Sequence, residues 1–235
     1  MKKRQNFTLI EMMAVMIIAA VLAVLAVPAF KALTTGSSVG ETASVVKNAL
    51  DMAQSRAISS RRYVAVVLDY QADRQDVNSN PADTQGVRIA QIRVQMDSTG
   101  TVKEYHFDGW LPDQNWQSLD YGALVICAWP TQDPHRLPSV RSGDNVQNND
   151  FSNLARIRSV PVRDNANGTF NAYGLIFAPY GNLYQPARNL TLTVGEAKLL
   201  SGRWIFEDTD DNGVPTNILR LSINQFTGKT EFCAQ

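Results

Sequence analysis

FTLIEMMAVMIIAAVLAVLAVPAF, residues 7–30, is the stretch on which the rest of the chain depends. It is apolar almost throughout, with one charge, Glu11, near its start and one proline, Pro28, near its end. At about 1.5 Å of rise per residue it makes roughly 36 Å of helix, enough to cross the ~30 Å hydrocarbon core of a bilayer. Lys2, Lys3 and Arg4 stand ahead of it in residues 1–6. Cations next to a span stay on the cytoplasmic side, so the reading is a single-pass anchor with the bulk of the chain sent outward.

Three plainer readings fit less well. A buried core helix seldom runs so long without polar relief. A secretory signal peptide has an apolar run of about 7–15 residues before a small-residue cut site. Ala26, Ala29 and Ala32 imitate such a site, but the uncharged run over residues 12–27 is too long and Glu11 sits at its front edge. A plain anchor explains neither Glu11 nor Pro28. A carboxylate in a spanning segment costs about 2.5–3.5 kcal/mol even on the lenient insertion scale, which calls for a cationic partner.

Lys3-Arg4-Gln5-Asn6 followed by Phe7-Thr8-Leu9-Ile10-Glu11 resembles the type III signal of type IV pilins and of type II secretion pseudopilins. The resemblance implies that a prepilin peptidase of the bacterial inner membrane removes the leader between Asn6 and Phe7 and N-methylates Phe7. Glu11 then becomes the fifth mature residue, where the family has a Glu that pairs with the terminal amine of a neighbouring subunit. Pro28 falls where the family has a helix-kinking proline. Asn6 stands where the family usually has Gly, a departure that bears on cleavage efficiency. The implied partners are other pilin or pseudopilin subunits, the peptidase and an inner-membrane assembly platform.

The chain has 235 residues, with 22 Lys and Arg against 22 Asp and Glu. Loss of the leader would remove three of the cations and leave the mature protein slightly acidic. A nucleic-acid partner is not indicated, because its footprint would be basic and clustered. The residues beyond the N-terminal helix suffice for one sizeable domain with its own core. The two cysteines, Cys127 and Cys233, lie in strand-like contexts. In an oxidising compartment they could pair, contributing about 2–4 kcal/mol by closing a long loop, or they could both be buried free thiols.

Beyond the anchor, residues 31–40 (KALTTGSSVG) are small and polar with Gly36 and Gly40, a weak point expected to kink or unwind the helix. Helical periodicity then resumes: Ala43, Val46, Leu50, Ala53 and Ala57 lie on one face, and Lys47, Asp51, Gln54 and Arg56 on the other. The organisation expected is a leader (1–6), a spanning half-helix (7–30), a kink with an amphipathic half-helix (31–60) and a periplasmic or extracellular β domain (61–235). From residue 62 onward, short β-type runs alternate with turn residues. Strands are expected over 63–70, 87–96, 102–107, 119–129, 157–162, 173–178, 183–185, 190–194, 204–207, 218–224 and 229–233. Residues 71–86 and 131–153 are expected to be loops. Asp97-Ser98-Thr99-Gly100 marks a hairpin turn.

Phe177-Ala178-Pro179-Tyr180-Gly181, with a final strand-Gly-strand pair around Gly228, is similar to the C-terminal domains of H-type minor pseudopilins and FimT-like minor pilins. The fold class expected is α+β: a long N-terminal helix, transmembrane then amphipathic, packed on a C-terminal antiparallel β-sheet domain.

Chemistry is sparse. His106 and His135 are isolated, and no GxSxG, HExxH or phosphate-binding glycine loop occurs. Cys127 has no basic sequence neighbour to lower its pKa. Asp208-Thr209-Asp210-Asp211-Asn212-Gly213 matches the first half of an EF-hand loop, making Asp208, Asp210 and Asn212 weak calcium candidates. The twelfth position is Leu219 where a bidentate Glu is needed, and a solvated hairpin turn accounts for the same residues. Apart from calcium no cofactor is expected. The reading is a non-enzymatic filament subunit, a minor pilin or pseudopilin of a type IV pilus-like or type II secretion filament. The alternative is a membrane-anchored ligand-binding or enzymatic protein using a pilin-like anchor.

Overall fold

A computed structural model of the chain describes residues 9–70, 85–112, 114–119, 122–131, 140–144, 151, 153–161, 169–200, 203–206 and 208–233. Two compact units are present, Met1–Ser37 and Ser38–Gln235. One helix, α1 (Leu9–Ser60), begins in the first and ends in the second. Its helical assignment continues through residues 31–40. The unwinding expected there does not occur, since two glycines cost only about 1 kcal/mol each in a helix that is hydrogen-bonded on both sides of them.

Within the first unit, the described side chains are Ile10 and residues 12–22, all exposed in the single chain. Val15, Met16, Ile17 and Ile18 are consecutive and each more than half exposed, so the segment is apolar on every side. Among the described residues no helix is long and apolar enough to cross a membrane. The described side chains at 12–22 cover about 17 Å of helix.

The second unit is β-rich. Its helical part buries Val39, Ala43, Val46, Leu50, Ala53 and Ala57, the face expected from the spacing of three and four. The strands are β1 (Val64–Tyr70), β2 (Gln85–Met96), β3 (Val102–Trp110), β4 (Gln117–Ser118), β5 (Ala123–Pro130), β6 (Ala155–Pro161) and β7 (Thr169–Phe177). Then come β8 (Leu183–Gln185), β9 (Leu190–Glu196), β10 (Lys198–Leu200), β11 (Arg203–Ile205), β12 (Ile218–Ile223) and β13 (Thr230–Phe232).

An antiparallel β-sheet domain was the expectation, and the pairing departs from it at one seam. Strands β1, β2, β3, β6 and β7 form a ring, closed because β7 pairs with β1 as well as with β6. One seam of the ring is parallel: Tyr105 lies opposite Ile157 and His106 opposite Arg158. Closure satisfies strand edges that would otherwise be open to other chains. A second sheet, all antiparallel, runs β13-β12-β9-β5, and β10 and β11 form a hairpin. Residues 85 and 86, expected in a loop, open β2, and β4 and β10 were not foreseen. Residues 71–84 and most of 131–153, both expected to be loops, lie outside the described residues.

Strand alternation divides the core in two. Val64, Val66 and Leu68 of β1 join the α1 stripe, Phe177, Leu192, Val194 and Trp204 in the larger cluster. Ala65 and Val67 turn inward to meet Ala90, Ile92, Ala155, Ile157, Ala172 and Ile176. Four alanines suit the narrow bore of a five-stranded ring. Gln85, fully buried, joins the two sheets as a surrogate strand: its Nε2 donates to Val125 O (3.2 Å) and its Oε1 accepts from Val125 N (2.7 Å).

Candidate functional site

Three segments far apart in sequence interlock beside the end of α1. The turn at 178–182 is closed by Ala178 N donating to Asn182 O (2.9 Å) and Gly181 N to Ala178 O (2.8 Å). In the turn at 224–229, Asn224 N donates to Lys229 O (3.0 Å), while Asn224 Oδ1 accepts from Phe226 N (2.9 Å) and Thr227 N (3.0 Å). Leu183 N donates to Gln225 O (2.9 Å), joining one turn to the other. Gln54 on α1 then ties both to the helix, its Nε2 donating to Gly181 O (3.0 Å) and to Thr227 O. The two motifs that resembled minor pseudopilins thus meet over one glutamine. In sequence Gln54 is only a member of a polar face, and nothing marks it as a clasp.

Gly181 and Gly228 are required there for two reasons. Both have positive φ, +85° and +67°, the left-handed region that other L-residues occupy at a cost. Both are also in close approach. A Cβ on Gly228 would lie 2.0 Å from Gly181 O and 2.6 Å from Gln54 Nε2, and one on Gly181 would lie 2.6 Å from Ile58 Cδ1.

An aromatic series extends from the ring. Tyr63 and Tyr184 have centroids 4.8 Å apart, Phe107 and Trp110 4.7 Å, and Trp110 and Trp116 5.1 Å, with the Arg88 guanidinium 4.3 Å over Trp110. Burial, then the neighbouring Tyr63, pushes the Tyr184 phenol above its ordinary value; burial followed by Tyr184 and Tyr63 does the same to Tyr105. Alternation alone would have placed some of these rings inward, but the bulge in β3 between Phe107 and Gly109 brings Phe107 and Trp110 to one face.

Comparison with known proteins bears on the N-terminus. Residues 1–27 match the family model described as the prokaryotic N-terminal methylation motif. The chain carries the N-terminal signal of the type IV pilin and pseudopilin family. No curated protein and no solved structure matches it.

Of the residues this prepilin signal implicates, Asn6 and Phe7 lie outside the described residues. Glu11 and Pro28 are in α1, with side chains outside the described set. The signal therefore leads directly into the helix whose described apolar side chains are uncovered.

Cys127 and Cys233 form no disulfide, and of the two readings left open the bridge is the one that the topology excludes. Cys127 lies opposite Thr193, Thr193 opposite Arg220, and Cys233 N donates to Arg220 O (2.9 Å). The two thiols therefore stand three strand spacings apart, about 14 Å, where a disulfide needs Cα atoms within about 7 Å. Trp129 Nε1 donates to Cys127 Sγ at 3.0 Å, and burial, opposed by Arg220, raises the Cys233 thiol. Reducing and non-reducing electrophoresis of the full chain are expected to give one identical mobility; a faster non-reduced band would overturn this register.

The calcium candidates sit in a self-contained turn. Asp210 Oδ1 accepts from Asn212 N (2.8 Å) and Val214 N (2.9 Å), and Gly213 N donates to Asp210 O (3.0 Å). The Val214 hydrogen bond, ahead of the Asn212 contacts and Arg141, holds the Asp210 carboxyl below its ordinary value. Backbone amides thus engage one oxygen of the Asp210 carboxylate, and among the described residues no three His, Cys, Asp or Glu side chains gather to hold a metal. His106 pairs with Glu104 (3.0 Å), which also meets Arg158 (3.1 Å) across the parallel seam. His135 lies outside the described residues.

Proposed function

We propose that the chain is a structural subunit, a minor pilin or pseudopilin of the H-type or FimT-like kind, in a type IV pilus-like or type II secretion filament. The observation that carries this reading is the methylation motif at residues 1–27 together with a helical segment whose described side chains, Ile10 and residues 12–22, are apolar all round. A helix with no polar face is stable only when lipid or other apolar helices surround it. Before assembly the segment crosses the bacterial inner membrane once, with the β domain outside. In the filament it exchanges lipid contacts for helix contacts, and the β domain is displayed on the surface. Glu11 supplies the electrostatic register, its carboxylate meeting the terminal amine of the neighbouring subunit where low dielectric strengthens the pair. No catalytic step is assigned to the chain.

Processing is the direct test. Mass spectrometry of the protein from a host with prepilin peptidase is expected to find N-methyl-Phe7 as the first residue. An intact Met1 under those conditions would refute processing.

A further inference from the structure

Where α1 ends, an open cleft is lined by Arg61, Tyr63, Tyr180, Tyr184, Asn182 and Pro179. It lies wholly within the second unit. Three properties set the chemistry of this cleft. Three phenols stand in its wall beside Ile58, Ala178 and Pro179: Tyr63 and Tyr184, packed against the ring core, are half-buried with rings tilted 54° to each other, while Tyr180 is 93% exposed. Its polar groups are hydroxyls, the Asn182 amide and the Arg61 guanidinium, Arg61 being the one charged residue among those lining it. Arg61 also adopts φ +53° immediately after the last helical residue. That left-handed position terminates helices best when it is Gly or Asn, so an arginine there is held against its backbone preference. Residues kept in disfavoured backbone conformations gather where their side chains are needed.

We propose that this cleft binds an acidic saccharide, a uronate-bearing stretch of polysaccharide. The Tyr180 ring stacks on the C–H face of a sugar, and Tyr63, Tyr184 and Asn182 hydrogen-bond its hydroxyls. Arg61 takes the uronate carboxylate as a paired, charge-assisted contact. The aliphatic residues of the wall are Ile58, Ala178 and Pro179, beside three tyrosines. A single-stranded nucleic acid would want basic groups along the groove as well as rings, and one guanidinium does not track a backbone. The inference stands apart from filament assembly, which the Glu11 and processing tests address separately.

The test is calorimetric titration of the full chain in detergent micelles with hexagalacturonate, beside neutral hexagalactose, a proline-rich decapeptide and a six-nucleotide DNA strand. Saturable binding of hexagalacturonate is expected, tighter than of the other three by about tenfold or more. Arg61→Gly is expected to weaken it about tenfold to a hundredfold while holding or raising the thermal midpoint, because glycine relieves the left-handed strain. Tyr180→Ala should weaken it about fivefold to tenfold, and Arg203→Ala, exposed on β11, should leave it unchanged. No saturable binding, tighter binding of the peptide or the DNA, or equal loss from Arg203→Ala would each overturn the proposal. A fall in the midpoint of Arg61→Gly would make the arginine structural and overturn it as well.

Discussion

Gly228→Ala should destabilise the β domain by about 3–5 kcal/mol and lower its thermal midpoint by roughly 10 °C, as followed by near-ultraviolet circular dichroism. The added methyl carbon would be placed 2.0 Å from Gly181 O, a backbone atom inside a hydrogen-bonded turn that cannot swing aside as a side-chain tip could. Left-handed φ adds about 1–2 kcal/mol for any residue with a Cβ, and overpacking a tight contact typically adds about 1–3 kcal/mol. Relief by moving the turn would break the Gln54 hydrogen bonds to Gly181 O and Thr227 O, so strain cannot relax without loss elsewhere. Gly100→Ala is the matched control. Its φ is +79°, yet no atom lies within 4 Å of the added carbon, so only the backbone term of about 1–2 kcal/mol remains. Equal losses from the two substitutions would show that the close approach at Gly228 contributes nothing.

Glu11→Ala should insert into the membrane as well as the parent chain, or better, and fail to enter filaments. Insertion improves because the substitution removes a carboxylate costing about 2.5–3.5 kcal/mol in a spanning segment. Assembly fails because the neighbour's terminal amine is left buried without a counter-charge, and removing one member of such a pair costs about 3–5 kcal/mol at every contact. Fractionation of membranes and of sheared filaments separates the two effects: the membrane pool is expected to hold steady while the filament pool falls more than tenfold. Glu11→Gln keeps the size and hydrogen-bonding capacity but not the charge, and is expected to fail likewise. Filaments formed normally by Glu11→Ala would refute the pairing role, whatever the fate of the leader.

Much of the architecture was legible because it rests on local rules. The stripe Ala43, Val46, Leu50, Ala53 and Ala57 is buried as the 3.6-residue period requires, and the turn at 97–100 joins β2 to β3. There Asp97 Oδ1 accepts from the Thr99 and Thr101 amides, and Gly100 has φ +79°. Strand ends shifted by a few residues for a plain reason: pairing partners, not composition, stop a strand. Gln85 reads as loop by type, but its side chain completes the ladder to Val125 and draws it into β2.

What failed was everything set by pairing between distant strands. Nothing in the residues of β3 and β6 announces a parallel seam, and without it the ring and its alanine-filled bore cannot be foreseen. Cys127 and Cys233 looked equally able to meet or to stay apart until the order β13-β12-β9-β5 put two strands between theirs. The cleft beside Arg61 draws on residues more than a hundred positions apart, and Gln54 became a clasp only when two glycine turns were folded against it.

By itself the sequence determined the N-terminal signal, the apolar helix and the buried stripe of its second half, since each follows from residue type and spacing along one continuous segment. The tertiary structure alone decided ring closure, the separation of the thiols and the gathering of tyrosines around Arg61. Those depend on which strand edges find each other, and hydrogen bonding between backbones carries almost no imprint of side-chain identity.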